Sequence, residues 1–169
     1  MEFKRASKSD INNIMNIIKQ SQEYFKQKGI DQWQNNYPNF EVIKEDIEKE
    51  DSFILLKDSR IVATAVISFS GDKNYDNIYE GKWLSYSSFA VIHRIAVDSN
   101  CKGEGLASVI IKEAEKLCLN KDVHSIKVDT HKNNLSMQKL LKKNGFKYCG
   151  IIYLEDKSER LAFEKITLN

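Results

Sequence analysis

The sequence predicts a mixed α/β domain, and three observations carry that expectation. A chain of 169 residues fits one domain of ordinary size. Leu, Ile, Val and Phe make up over a quarter of it, above the ~20% below which a chain struggles to bury a core. Strand-type and helix-type runs interleave, and one strand-type run passes through a glycine-bearing turn straight into an amphipathic helical pattern. One domain is expected over residues 1–169.

Met1 to Ala6 alternates weakly and reads as a short strand. Asp10 is placed to cap a helix with apolar positions Ile11, Ile14, Ile17 and Ile18, followed by Tyr24 and Phe25 and ended by Gly29. GIDQWQNNYP reads as loop, and Phe40 to Glu50 carries a second helical pattern through Val42, Ile43 and Ile47. Two strand-type runs, Phe53 to Lys57 and Arg60 to Phe69, are joined by Asp58 and Ser59 and predict a hairpin. A polar stretch from Gly71 to Lys82 precedes a long strand-type run from Tyr86 to Val97.

From Gly103 the pattern turns helical, with Leu106, Val109, Ile110, Ala114 and Leu117 on one face. Ser125 to Thr130 predicts a strand in which Ile126 and Val128 alternate against Lys127 and Asp129. Asn134 to Asn144 predicts a helix closed by Gly145. Two last strands, Phe146 to Leu154 and Glu159 to Lys165, flank a polar turn. The order is β-α-α-β-β-β-α-β-α-β-β.

Composition excludes several classes. The net charge is only +2, with the basic excess after Ser85; that suits an anionic small ligand but lacks the dense basic stripe of a nucleic-acid binder. No apolar run approaches the ~18 residues of a membrane span. The start, MEFKRASKSD, lacks a signal-type apolar stretch, so a cytoplasmic address is expected. Cys101, Cys118 and Cys149 are odd in number and widely spaced, which suggests neither a disulfide framework nor a zinc site. They read as buried or incidental thiols.

HRIAVDSNCKGEGLASVIIKEAEKL is the most informative segment. A helix N-terminus leaves backbone N–H groups unpaired and carries partial positive charge, so it receives phosphate well. Gly103 and Gly105 remove side chains that would hinder a pyrophosphate, and no proline from Ile95 to Ser108 deletes an amide. The segment is neither G-x-G-x-x-G nor a P-loop, which weakens a dinucleotide or NTPase reading. An ordinary tight turn remains the plain alternative.

These residues resemble the GNAT N-acetyltransferase superfamily, whose [RQ]-x-x-G-x-[GA] signature opens the main helix after the fourth strand. The match is Lys102-x-x-Gly105-x-Ala107, with Lys at the first position. Ile95, Ala96 and Val97 are similar to the strand whose backbone pairs with the pantetheine arm of coenzyme A. Asn134 to Phe146 is similar to N-x-x-[AS]-x-x-[LF]-Y-x-K-x-G-F, with Lys143 at the lysine and Leu141 where the family carries tyrosine.

The resemblance implies an α/β acyl-CoA N-acyltransferase fold, one domain with a mixed central sheet flanked by helices. It implies acetyl-CoA as co-substrate, no metal, and direct attack by a primary amine in a ternary complex. The acceptor would be a small-molecule or protein amine, with no nucleic-acid or membrane partner and a homodimer left open. The implied cofactor site is Ile95, Ala96, Val97, Lys102, Gly103, Glu104, Gly105, Leu106, Ala107, Ser108 and Asn134; for Asn134 a plain helix N-cap is the alternative, and both roles can coexist.

Acyl transfer to an amine needs a base, an oxyanion donor and an acid. The family's donor is usually an amide of the fourth strand, matching Ile95 to Val97. Its usual acid is the tyrosine replaced here by Leu141, with Tyr148 and Cys149 as sequence-near candidates. His93 is the leading base: alternation puts it on the face of Val91, Ile95 and Val97, and imidazole titrates near ~6.5. Some arylalkylamine acetyltransferases are similar here. A hydrogen-bonded core histidine is the alternative.

His131 and Glu80 are further candidates for the base, whereas His124 reads as solvated. Trp33, Tyr37, Tyr79 and Trp83 lie in polar segments that in this family line the acceptor site, where aromatic faces suit an amine; local packing is the plain alternative. Lys102, Lys112 and Lys116 can add positive potential near the phosphates, although a solvated face equally explains the last two. Two other classes compete with an enzyme: a non-catalytic acyl-CoA binding or sensing domain, favoured by Leu141, and a module using the glycine turn for another nucleotide.

Overall fold

A computed structural model describes residues 1–167. The strands are β1 (Glu2–Arg5), β2 (Ser52–Lys57), β3 (Arg60–Ser68), β4 (Ala90–Val97), β5 (Ser125–Thr130), β6 (Lys147–Tyr153) and β7 (Glu159–Ile166). The helices are α1 (Ile11–Gln27), α2 (Phe40–Glu48), α3 (Leu106–Asn120) and α4 (Leu135–Lys143). Their order along the chain is the one the sequence predicts. The strands form one mixed seven-stranded sheet in the order β1-β2-β3-β4-β5-β7-β6.

The chain divides into two compact units: Met1–Ile67 with Arg94–Ile110, and Ser68–His93 with the chain from residue 111 onward. In the first, β1 and β3 flank β2 in antiparallel ladders. The β2–β3 turn uses Asp58 and Ser59 at φ 50° and 63°, the left-handed pair that matches strand twist in a two-residue hairpin. Ile11, Ile14, Ile17 and Ile18 of α1 pack with Ile43 and Ile47 of α2, Ile54 of β2 and Ala96 of β4. Each of these isoleucines contributes roughly 1.5–3 kcal/mol on burial.

Asp10 makes no side-chain cap on α1. Its carboxylate accepts from Ser7 N at 2.8 Å instead, ahead of a short 3-10 turn, Lys8–Asp10, that leads into the helix.

In the second unit β5 runs parallel to β4 and antiparallel to β7, and β6 completes the edge. Tyr75, Trp83, Val91, Cys149, Ile152 and Ala162 form the core. The 78–81 segment lies tightly on β6: Tyr79 and Ile151 exchange backbone hydrogen bonds of 2.8 Å. A Cβ on Gly81 would fall 1.9 Å from Cys149 O, so glycine is needed there for close approach.

Three further expectations change. The strand expected from Tyr86 begins only at Ala90. The ladder to β5 starts at Ala90, opposite Ile126; Tyr86 is exposed, and just before it Glu164 binds the amides of Leu84 and Ser85 at 2.6 and 3.3 Å. On α3 the buried side chains are Leu106, Ile110, Ile111, Ala114 and Cys118, while Val109 and Leu117 are only half-buried. Lys127 does not face solvent: it is 2% exposed, with Nζ 4.3 and 4.1 Å from the ring centroids of Trp83 and Phe89. Two aromatic faces take the place of water around the ammonium, and burial lowers its pKa.

Candidate active site

In the first unit β4 leads into the turn. Asp98 N donates to Val62 O at 2.9 Å, and Asp98 Oδ1 accepts from Asn100 N at 2.9 Å, capping a 3-10 turn over Ser99–Cys101. Gly103 and Gly105 follow at φ 85° and 77°. A Cβ built on either meets nothing within 4 Å, so left-handed backbone, rather than crowding, calls for glycine. Gly105 O takes the first helical bonds, from Ser108 N at 3.0 Å and Val109 N at 3.2 Å. The amides of Gly105, Leu106 and Ala107 therefore precede any intrahelical acceptor.

Charged side chains of this turn face aside. Lys102 Nζ lies 4.3 Å from the Tyr24 ring centroid, and Glu104 pairs with Lys57 at 2.6 Å. The turn thus presents main-chain donors and open space, a fit for a pyrophosphate.

Arg94, at φ 49°, stands in β4 itself. Its Nε and Nη2 donate to the Asp46 carboxylate at 2.7 and 2.5 Å, and its Nη1 to Tyr37 Oη at 2.9 Å. Left-handed backbone interrupts period-two alternation here, so counting from Ile95 and Val97 does not fix the face of His93.

In the second unit His93 is fixed by contacts instead. Its Nε2 is 3.2 Å from Asp72 Oδ2, with side chains 25% and 16% exposed. Burial pushes the Asp72 carboxyl up, but hydrogen bonding to His93 and Asn74 and the imidazolium charge outweigh it, leaving the pKa below 3.8. Beside this pair Tyr75 Oη donates to Asp129 Oδ2 at 2.6 Å, and Arg160 Nε is 4.0 Å from Asp129. Burial, then the Asp129 charge, hold the Tyr75 phenol well above 10.0. Burial also raises Asp129, against the pull of Tyr75, His93 and Arg160.

The remaining candidates separate. His131 Nδ1 accepts from Asn133 N at 3.1 Å within its own loop. His124 pairs with Asp122. Glu80 is exposed, and Trp83 is core, its indole N–H donating to Tyr75 O. Trp33 packs edge-on against Phe25, while Tyr79 and Tyr153 stack edge to face. Cys149 donates to Lys147 O, and burial raises its thiol to about 11. Tyr148 is half-exposed, and Leu141 is fully buried. Asn134 is buried and caps α4, its Oδ1 accepting from Met137 N at 3.2 Å. Cys101, Cys118 and Cys149 are free and buried, as expected.

Asp72, Tyr75, Asp129 and Arg160 escape sequence reasoning. The residue types carry chemistry, but no motif links Asp72 and Tyr75 to Asp129 and Arg160. Among the described residues no cluster of three His, Cys, Asp or Glu is placed to hold a metal, and no helix is long and apolar enough to cross a membrane.

This sheet order and glycine turn define an acyl-CoA N-acyltransferase fold. The model of the acetyltransferase (GNAT) family matches residues 13–146, and the chain belongs to that family. A GNAT-family acetyltransferase from Streptococcus agalactiae is 31% identical, with a TM-score of 0.90 over 99% of this chain and 96% of that one. One from Listeria monocytogenes is 20% identical, with a TM-score of 0.75 over 98% and 94%. The PaiA N-acetyltransferase of Thermoplasma acidophilum, solved with coenzyme A, shares the fold at 16% identity and a TM-score of 0.73, over 98% of each chain. No curated protein sequence matches.

Proposed function

We propose that residues 1–169 form one N-acetyltransferase domain that moves an acetyl group from acetyl-CoA to a primary amine of a small molecule or protein. The observation that carries this reading is the turn from Lys102 to Ser108, with two left-handed glycines and a helix N-terminus whose leading amides precede any intrahelical acceptor. Those amides suit the pyrophosphate. By family resemblance, the backbone of Ile95, Ala96 and Val97 pairs with the pantetheine arm, and Asn134 adds a polar contact.

Acetyl-CoA supplies an activated thioester. The acceptor amine forms the new C–N bond as the C–S bond breaks. His93 takes the amine's proton, and coenzyme A leaves as a thiolate that is protonated in turn, from imidazolium or water. Amide and thiol are the balanced products. With Leu141 buried where the family carries tyrosine, no side chain at that position donates the last proton. The same leucine favours a second reading, a non-catalytic acyl-CoA sensor.

The test is acetyl-CoA-dependent acetylation over polyamines, aminoglycosides, amino acids and peptides, beside thermal shifts with coenzyme A, ATP and NAD. Coenzyme A alone is expected to stabilise the fold, and at least one amine to be acetylated. Stabilisation without transfer or hydrolysis supports the sensor. Gly105→Pro, which cannot adopt φ 77°, and Gly103→Asp are expected to weaken coenzyme A binding far more than Lys102→Gln. Normal binding by folded Gly105→Pro would discard the phosphate-turn assignment.

A further inference from the structure

We infer that Asp72 is the positioning residue for His93, holding its Nε2 so that Nδ1 is the basic nitrogen offered to the acceptor amine. The inference rests on the reading of His93 as the base. Asp72 is anchored from both sides. Its Oδ1 accepts from Asn74 N at 2.8 Å, capping the 3-10 turn Lys73–Tyr75. Tyr75, at the end of that turn, is 3% exposed and packs in the core of the second unit. One carboxylate oxygen is thereby fixed by backbone, leaving Oδ2 at 3.2 Å from His93 Nε2.

A carboxylate in this place accepts from Nε2–H, which leaves the lone pair on Nδ1 and stabilises the imidazolium formed when the amine's proton arrives. The other groups facing His93 do not duplicate this role. The Tyr75 ring lies 6.4 Å away by centroid, and its hydroxyl is committed to Asp129. Asp129 adds its charge to the imidazole's surroundings while being held by Tyr75 and partly countered by Arg160.

Asp72→Asn separates positioning from folding, because asparagine caps a turn as well as aspartate does. Its amide can present N–H to Nε2 and so favour the opposite tautomer. Expected are a fall in kcat of about 10²-fold or more at neutral pH, unchanged affinity for coenzyme A, and an acidic limb of kcat/KM moved to lower pH. The double variant with His93→Ala is expected to be no slower than His93→Ala alone. Asp72→Ser, which keeps a capping oxygen and lacks the carboxylate, checks that the loss is not a folding defect. If Asp72→Asn keeps wild-type kcat and an unmoved limb while His93→Ala loses both, the positioning role is overturned and the base stands. If His93→Ala itself keeps the rate and the limb, the base reading falls and takes this inference with it.

Discussion

His93 and Arg94 are neighbours on β4, and each meets one aspartate, yet the two pairs are built for different ends. Arg94 grips Asp46 through two N–H donors and Tyr37 through a third; burial alone would lower its pKa, but the hydrogen bonds and charges of Asp46 and Tyr37 together raise it. A guanidinium so held never changes charge in the physiological range, and its planar fork fixes geometry. His93 has a single 3.2 Å contact with Asp72 and a second ring nitrogen to spare. One pair is a strut. The other can exchange a proton.

Breaking the strut is expected to have the largest effect on stability. Arg94 and Asp46 are 14% and 8% exposed as side chains, so Asp46→Ala leaves a buried cation unpaired and costs about 3–5 kcal/mol in denaturant unfolding. Arg94→Lys keeps the charge but loses the fork, for about 1.5–3 kcal/mol. His93→Ala reverses the pattern: kcat/KM falls by roughly 10²–10⁴-fold, and its acidic limb disappears, while unfolding shifts by only about 0.5–1.5 kcal/mol. Equal stability losses for Asp46→Ala and His93→Ala, with the rate intact in both, would erase the distinction.

The smallest expected effect is on acid stability. Asp72 has a folded pKa below its ordinary 3.8, so its stabilisation is complete above that value and is lost as pH falls through the folded pKa. Asp72→Asn should flatten this part of the stability profile. Unfolding curves between neutral pH and about pH 2 measure it.

The same two residues show what a sequence can and cannot convey. Element order was legible because periodicity is local: Ile11, Ile14, Ile17 and Ile18 mark a helix face whatever lies opposite, and all four are buried. The glycine turn was legible because left-handed backbone needs a residue type that can be seen. The φ of 49° at Arg94 leaves no such mark, and it is what defeats the alternation count through β4. Lys127 misled for a related reason. Its position alternates as a polar residue should, but Trp83 and Phe89 come from outside the strand to cover it. Asp72, Tyr75 and Asp129 become a cluster with His93 only through contacts between segments distant in the chain, and a pairing of that kind has no spacing to read.

The three thiols carry a practical consequence. Cys101, Cys118 and Cys149 are each 5% exposed or less. Burial raises Cys118 to about 12 and Cys149 to about 11, so at neutral pH neither offers the thiolate that alkylating and disulfide reagents attack. A thiol-reactive chromophore mixed with the folded protein, acetyl-CoA and an amine should therefore count released coenzyme A with almost no background from Cys118 or Cys149, and Cys101 is shielded by burial alone. Denaturation exposes all three cysteines, and the same reagent then becomes a gauge of unfolding.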